Sequence, residues 1–264
     1  VKLAAQEHLL PGGSLLEKWA FAQSAGFEGI EILAKSRGEF GGRLPELREA
    51  ARSGVVLSSI CLAGGPFIGE FDPEKRREAL ERMKFLLETA PQIGARGVVT
   101  PAAYGIFSKR LPPFEPPRGA EEDHRILLEA LRTLGEYAKK VGTTLFLEPL
   151  NRYEDHMVNT LEQAAAYCQE TGLESVKVIA DLYHMNIEEA QLPRSIRKAG
   201  RYLAHVHLAD SNRLEPGAGH SDFASVFTAL REIGFDGFMA FECRLSGPAE
   251  QVLPASVRRL RSWL

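Results

Sequence analysis

Short apolar runs rich in β-branched and aromatic residues alternate along the chain with longer segments whose apolar positions recur at helical spacing. Strands are predicted at 2–6, 27–33, 55–62, 97–101, 144–147, 177–181, 202–208 and 237–242. Helices are predicted between and after them at 14–25, 44–53, 73–93, 121–141, 161–171, 188–199, 223–233 and 249–263. Such alternation is the signature of a parallel sheet covered by helices, and eight units suffice to close it into a (β/α)₈ TIM barrel. Gly26, Gly54, Gly94, Gly142, Gly172, Gly200 and Gly234 follow predicted helices, where a left-handed residue ends a helix at no steric cost. In this fold the active site is built at the C-terminal ends of the strands.

A length of 264 residues exceeds the usual domain but matches an α/β barrel, so residues 1–264 are expected to form one domain. With 44% hydrophobic residues the chain can bury a core without disulfides or a structural metal, which leaves any metal free for chemistry. A net charge of −3, with no Lys/Arg-rich run, argues against a nucleic-acid partner or an anionic membrane surface. Cys61, Cys168 and Cys243 lack the spacing of a zinc or redox motif and point to a reducing compartment. The first residues are not read as a signal peptide, and no stretch reaches the ~18 apolar residues of a membrane span. The expectation is a soluble, cytoplasmic protein.

Charged residues that interrupt apolar strands carry the chemistry, because ionised groups are rarely buried unless paired or metal-bound. Glu148, Asp181, His207 and Glu242 stand at the ends of predicted strands five to eight. From there they would converge in the barrel mouth as three carboxylates and one imidazole. Those donors suit one divalent metal ion, with Mn²⁺ expected first and Mg²⁺, Co²⁺ or Zn²⁺ as alternatives; the histidine disfavours Ca²⁺. Taken singly each residue has an ordinary explanation: Asp181 as the N-cap of a turn over 182–183, Glu242 as an ion-pair partner of Arg244. Four together at successive strand ends favour the metal. His205 and His207 face the same side of one strand; His207, nearer the C-terminal end, is the expected ligand, and His205 a hydrogen-bonded core residue one layer deeper.

The segments Leu147-Glu148-Pro149-Leu150-Asn151-Arg152-Tyr153-Glu154, Asp181-Leu182-Tyr183-His184-Met185 and His205-Val206-His207-Leu208-Ala209-Asp210-Ser211-Asn212-Arg213 resemble the xylose-isomerase-like barrel superfamily. Within it, the pattern is most similar to ketose 3-epimerases of the D-tagatose 3-epimerase type; Gly217-Ala218-Gly219-His220-Ser221-Asp222-Phe223 and the strand ending at Glu242 complete it. The resemblance implies the same metal ligands, with Glu148 and Glu242 also shuttling the proton. It adds His184, Arg213 and Glu154 as substrate contacts; without it these would read as solvated loop charges. The implied activity is C3 epimerisation of a free ketose through an enediolate, by a homo-oligomer, dimer or tetramer. Removing a proton next to a ketone and returning one on the opposite face inverts the carbon, and two carboxylates divide that work.

Hydroxypyruvate isomerases, sugar-phosphate epimerases and inosose dehydratases share this site, so the ligands identify the superfamily better than the substrate. A phosphorylated substrate would need more basic or backbone N–H groups than Gly64-Gly65 and Arg213 offer. Abasic-site endonucleases of the same superfamily are the rival class, but their three-zinc cluster requires histidines that 58–65 and 98–105 lack. A non-catalytic sugar-binding protein is the other alternative, disfavoured by the presence of both Glu148 and Glu242. The proline-rich segment 111–119 lies between strand four and helix four, placed either as a lid over the mouth or as a stiff wall.

Overall fold

Every predicted strand forms. The computed structural model describes residues 1–107 and 115–264. Its strands are β1 (Lys2–Gln6), β2 (Gly29–Ala34), β3 (Leu57–Leu62), β4 (Gly97–Pro101), β5 (Thr144–Glu148), β6 (Val176–Asp181), β7 (Leu203–Leu208) and β8 (Phe238–Phe241). They close a barrel in sequence order, every neighbouring pair parallel, with β8 pairing back onto β1. Around it lie α1 (Leu15–Ala25), α2 (Arg37–Arg52), α3 (Pro73–Thr89), α4 (Ala120–Val141), α5 (Leu161–Thr171), α6 (Leu182–Glu188), α7 (Leu192–Ala199), α8 (Phe223–Glu232) and α9 (Ala249–Arg261).

Local sequence explains the helix ends. Ser14 with Glu17 and Thr160 with Gln163 form reciprocal capping boxes at the starts of α1 and α5. Asp72 caps α3, whose first residue is Pro73, a position where the missing N–H costs nothing. All the glycines expected to end helices have positive φ. The largest departures from the expected boundaries are two. Helix α2 begins at Arg37, not at 44, because Ser36 caps it through the backbone of Glu39, and it runs through Gly41, Gly42 and Pro45. The helix expected over 188–199 starts later, as α7 at Leu192, and a separate short helix, α6, precedes it, starting directly at the strand end under an Asp181 cap.

The main apolar core fills the space between barrel and helices. Inside the barrel, Cys61, Val99, Phe146 and Ile179 form one small cluster and Ala4, Phe238 and Ala240 another. This packed plug is the floor on which the polar residues at the C-terminal end rest. The three cysteines are buried and free. Among the described residues no helix is long and apolar enough to cross a membrane. Residues 111–114 of the proline-rich segment, including Pro112 and Pro113, lie outside the described residues, and the lid expectation falls partly there. Just after them, Arg118 donates to the carbonyls of Gly69 and Glu70 and pairs with Asp123, fixing the chain to the loop after β3.

Candidate functional site

Glu148 ends β5, Asp181 ends β6, His207 is next to last in β7, and Glu242 directly follows β8 with its N–H still bonded to Leu208 O. The structure brings all four together: one ligand-type atom from each lies within 4.8 Å of the others. His207 Nδ1 is 3.2 Å from Glu148 Oε1, 3.1 Å from Glu242 Oε2 and 3.7 Å from Asp181 Oδ2. Asp181 does the capping that its position allowed and joins the cluster as well. Its Oδ1 accepts the His184 N–H, while Oδ2 is buried with no hydrogen-bond partner. The alternative partner for Glu242 is not realised; it faces Arg213 at 3.6 Å, while Arg244 reaches the Asn212 carbonyl.

The electrostatics describe a site short of positive charge. Burial opposes the charge on His207, yet Glu31, Glu242, Asp181 and Glu148 push its pKa well above the ordinary imidazole value. Glu148 is raised, first by burial and then by Glu242 and Asp181, with His207 pulling the other way. Burial would raise Asp181 too, but His184, His207 and Arg213 outweigh it and hold it low. Three carboxylates around one nitrogen, one with an orphaned oxygen, form a donor set that a divalent cation fits, since it would take the orphaned lone pair and neutralise the crowding.

Above the cluster opens a cavity of about 170 Å³, lined by Glu148, Glu242, Glu154, His184 and Arg213 together with Cys61 and Tyr104. All three residues expected to touch substrate therefore stand at its wall. His184 is held by Asn151, whose backbone N–H and side-chain amide both reach Nδ1, at 3.2 and 2.8 Å. With Nδ1 accepting, the ring proton sits on Nε2, where it makes no hydrogen bond to the donor-only Arg213 guanidinium 3.4 Å away and is left for the cavity. The same Asn151 amide donates to Glu154. Arg213 adopts φ 60°, a left-handed backbone unusual for a residue with a side chain. Its N–H donates to Asp210 O and its carbonyl accepts from Arg244 N, while its guanidinium lies 4.6 Å over the Tyr183 ring. Burial disfavours that charge, but Asp181, Glu242, Glu154 and Glu148 raise its pKa further.

His205 occupies the deeper layer, stacked on Phe146 and bonded through Nε2 to Glu31 at 2.9 Å. Sequence reasoning passed over Glu31. It is fully buried in the middle of β2, accepts from Gln6, Ser59 and His205, and lies 2.9 Å from His207 Nε2, at an angle that makes no hydrogen bond. The signal existed: a lone acid within Gly29-Ile30-Glu31-Ile32-Leu33-Ala34 interrupts an apolar strand as sharply as the four found at strand ends.

The sequence matches the xylose isomerase-like TIM barrel family over residues 19–263. Among curated relatives, 3-dehydro-D-guloside 4-epimerase of Escherichia coli is 37% identical over 246 residues, 93% of each chain. D-psicose 3-epimerase of Enterocloster bolteae is 36% identical over 205 residues, 76% of this chain and 66% of its own. Among solved structures, the apo form of 3-keto-D-glucoside 4-epimerase from E. coli superposes with a TM-score of 0.92 at 35% identity, covering 99% of both chains. Closed barrel, site position and sequence agree, and the chain belongs to the xylose isomerase-like TIM barrel family.

Proposed function

We propose that the protein is a metal-dependent sugar epimerase that inverts a carbinol carbon beside a ketone, with Glu148 and Glu242 as its two acid/base groups. The observation that carries this is the convergence of those glutamates on His207 Nδ1 while both line the cavity. Glu148, Asp181, His207 and Glu242 hold the ion, for which Mn²⁺ is the first choice among Mg²⁺, Co²⁺ and Zn²⁺. When bound, a divalent ion polarises the ketone and offsets the negative charge left on the sugar oxygens after proton removal. One glutamate takes the proton from one face of the carbon, and the other returns a proton to the opposite face. Burial raises the pKa of Glu148, the direction that helps a carboxylate take up a proton. His184 offers Nε2–H to a sugar oxygen, Arg213 offers its guanidinium, and Glu154 accepts from a hydroxyl.

The preferred substrate is a 3-keto glycoside inverted at C4, supported by near full-length similarity to the E. coli 4-epimerase. The second reading, inversion at C3 of a free ketose, uses the same reacting unit and is supported by the D-psicose 3-epimerase relative. Mn²⁺-supplemented protein incubated in deuterated water with methyl 3-keto-D-glucoside, D-psicose and L-ribulose separates the readings by NMR. Inversion with deuterium at C4 of the glycoside, faster than C3 inversion of either ketose, supports the first. Absence of inversion and of exchange in all three overturns the function.

A further inference from the structure

We propose that Gln6 and Glu31, which stand outside the four-residue cluster, are positioning residues that fix the two side chains on which the proposed function depends, Glu242 and His207. The inference rests on that function, and its geometry lies in the other half of the barrel. Gln6, Glu31 and Ser59 are directly paired across β1, β2 and β3, so their side chains form one row inside the barrel. All three are buried. The Gln6 amide nitrogen donates to Glu31 Oε1 and to Glu242 Oε1, both at 3.0 Å. An amide NH₂ has two protons and each carboxylate accepts only, so this bridge uses both protons and has one sensible orientation. It ties back one oxygen of Glu242 and leaves Oε2, the oxygen 3.1 Å from His207 Nδ1, for the cluster.

Glu31 is locked in turn. Its Oε2 accepts from Ser59 Oγ at 2.6 Å and from His205 Nε2 at 2.9 Å. Its Oε1 stands 2.9 Å from His207 Nε2 without a hydrogen bond, so that its negative charge behind the ring favours a proton on Nε2 and keeps Nδ1 turned toward the cluster. Neither residue lines the cavity. Their effect on a sugar therefore passes through Glu242 and His207, and should appear in turnover and ion affinity rather than in substrate affinity.

The test uses full-length Gln6→Leu, Glu31→Gln and Ser59→Ala proteins, with Mn²⁺ affinity and stoichiometry from calorimetry, melting of the metal-free protein, and kcat and KM. Glu31→Gln should weaken Mn²⁺ binding by roughly 10–100-fold, and Gln6→Leu should lower kcat by a similar factor with KM nearly unchanged. If Glu31→Gln does not fold, Ser59→Ala decides, since it removes one donor to Glu31 and leaves every carboxylate in place. It should weaken Mn²⁺ by about three- to tenfold, below the loss of an outer partner itself. Folded variants that bind Mn²⁺ and turn over like the unaltered protein would overturn the proposal. So would two Mn²⁺ per chain, which would put a second ion between Glu31, Cys61 and His207, whose ligand atoms also lie within 4.8 Å of one another. An unaltered protein that binds one Mn²⁺ but inverts no sugar would end the proposed function, while lost ion affinity in the variants would still support the positioning role.

Discussion

Two groups of buried charge share this barrel and differ in how their lone pairs are filled. In the first half, both oxygens of Glu31 have donors, supplied by Gln6, Ser59 and His205. In the second half, Glu148, Asp181 and Glu242 crowd one imidazole nitrogen, and Asp181 Oδ2 has no donor. Both groups sit on the same packed floor, so burial alone does not separate structural acids from functional ones. Satisfaction does: a buried carboxylate whose acceptors are filled holds its neighbours in place, and one left unfilled awaits a cation or a substrate.

Removing the cation should produce the largest effect. Chelation is expected to reduce epimerisation to background and Mn²⁺ to restore it, while Mn²⁺ at 100-fold above its dissociation constant should stabilise the fold by about 2.7 kcal/mol. Full turnover in thoroughly demetallated protein would erase the distinction between the two groups. Next come the two histidines of β7. His207→Ala should abolish tight Mn²⁺ binding. His205→Ala should retain most of it but lose roughly 2–4 kcal/mol of stability, because a buried ring disappears and Glu31 loses a donor. Calorimetry and thermal melting of both variants would show a reversed pattern if the register of β7 had been misread.

The smallest effect tests a satisfied acid on the second-half side. Asp210 accepts backbone N–H groups from Ser211, Gly217 and Ser221, shaping the loop that presents Arg213. Burial would raise its pKa, but these N–H groups bring it below the ordinary value. A carboxylate with a depressed folded pKa adds stability above its unfolded pKa of about 4 and loses it as pH falls through the folded value. Asp210→Asn should therefore melt below the unaltered protein at pH 7, with the gap narrowing below about pH 4. A gap independent of pH would mean that the charge contributes nothing.

The barrel was legible because short apolar runs alternate with segments of helical spacing, and the positive-φ glycines mark where helices stop. The short α6 was not, since Asp181 was expected to cap no more than a turn over 182–183 or else to be a ligand, whereas its two oxygens allow both positions at once. Attention to strand ends located the cluster but missed Glu31, whose partners come from β1, β3 and β7 and become neighbours only when the barrel closes. The positions of His184 and Glu154 have a common cause that spacing does not reveal, in Asn151 bonded to both.

The central claim is that Glu148 and Glu242 serve opposite faces of one carbon, and solvent exchange in paired variants tests it most directly. Glu148→Gln and Glu242→Gln keep shape and an oxygen donor while removing the base, so each should lower epimerisation by at least the ~10²-fold of lost acid–base catalysis. With each epimer of the 3-keto glycoside supplied separately in deuterated water, each variant should wash deuterium into one epimer without forming the other, and the two variants should choose opposite epimers. Near-normal turnover in either variant, or the same epimer exchanged by both, would contradict the two-base account.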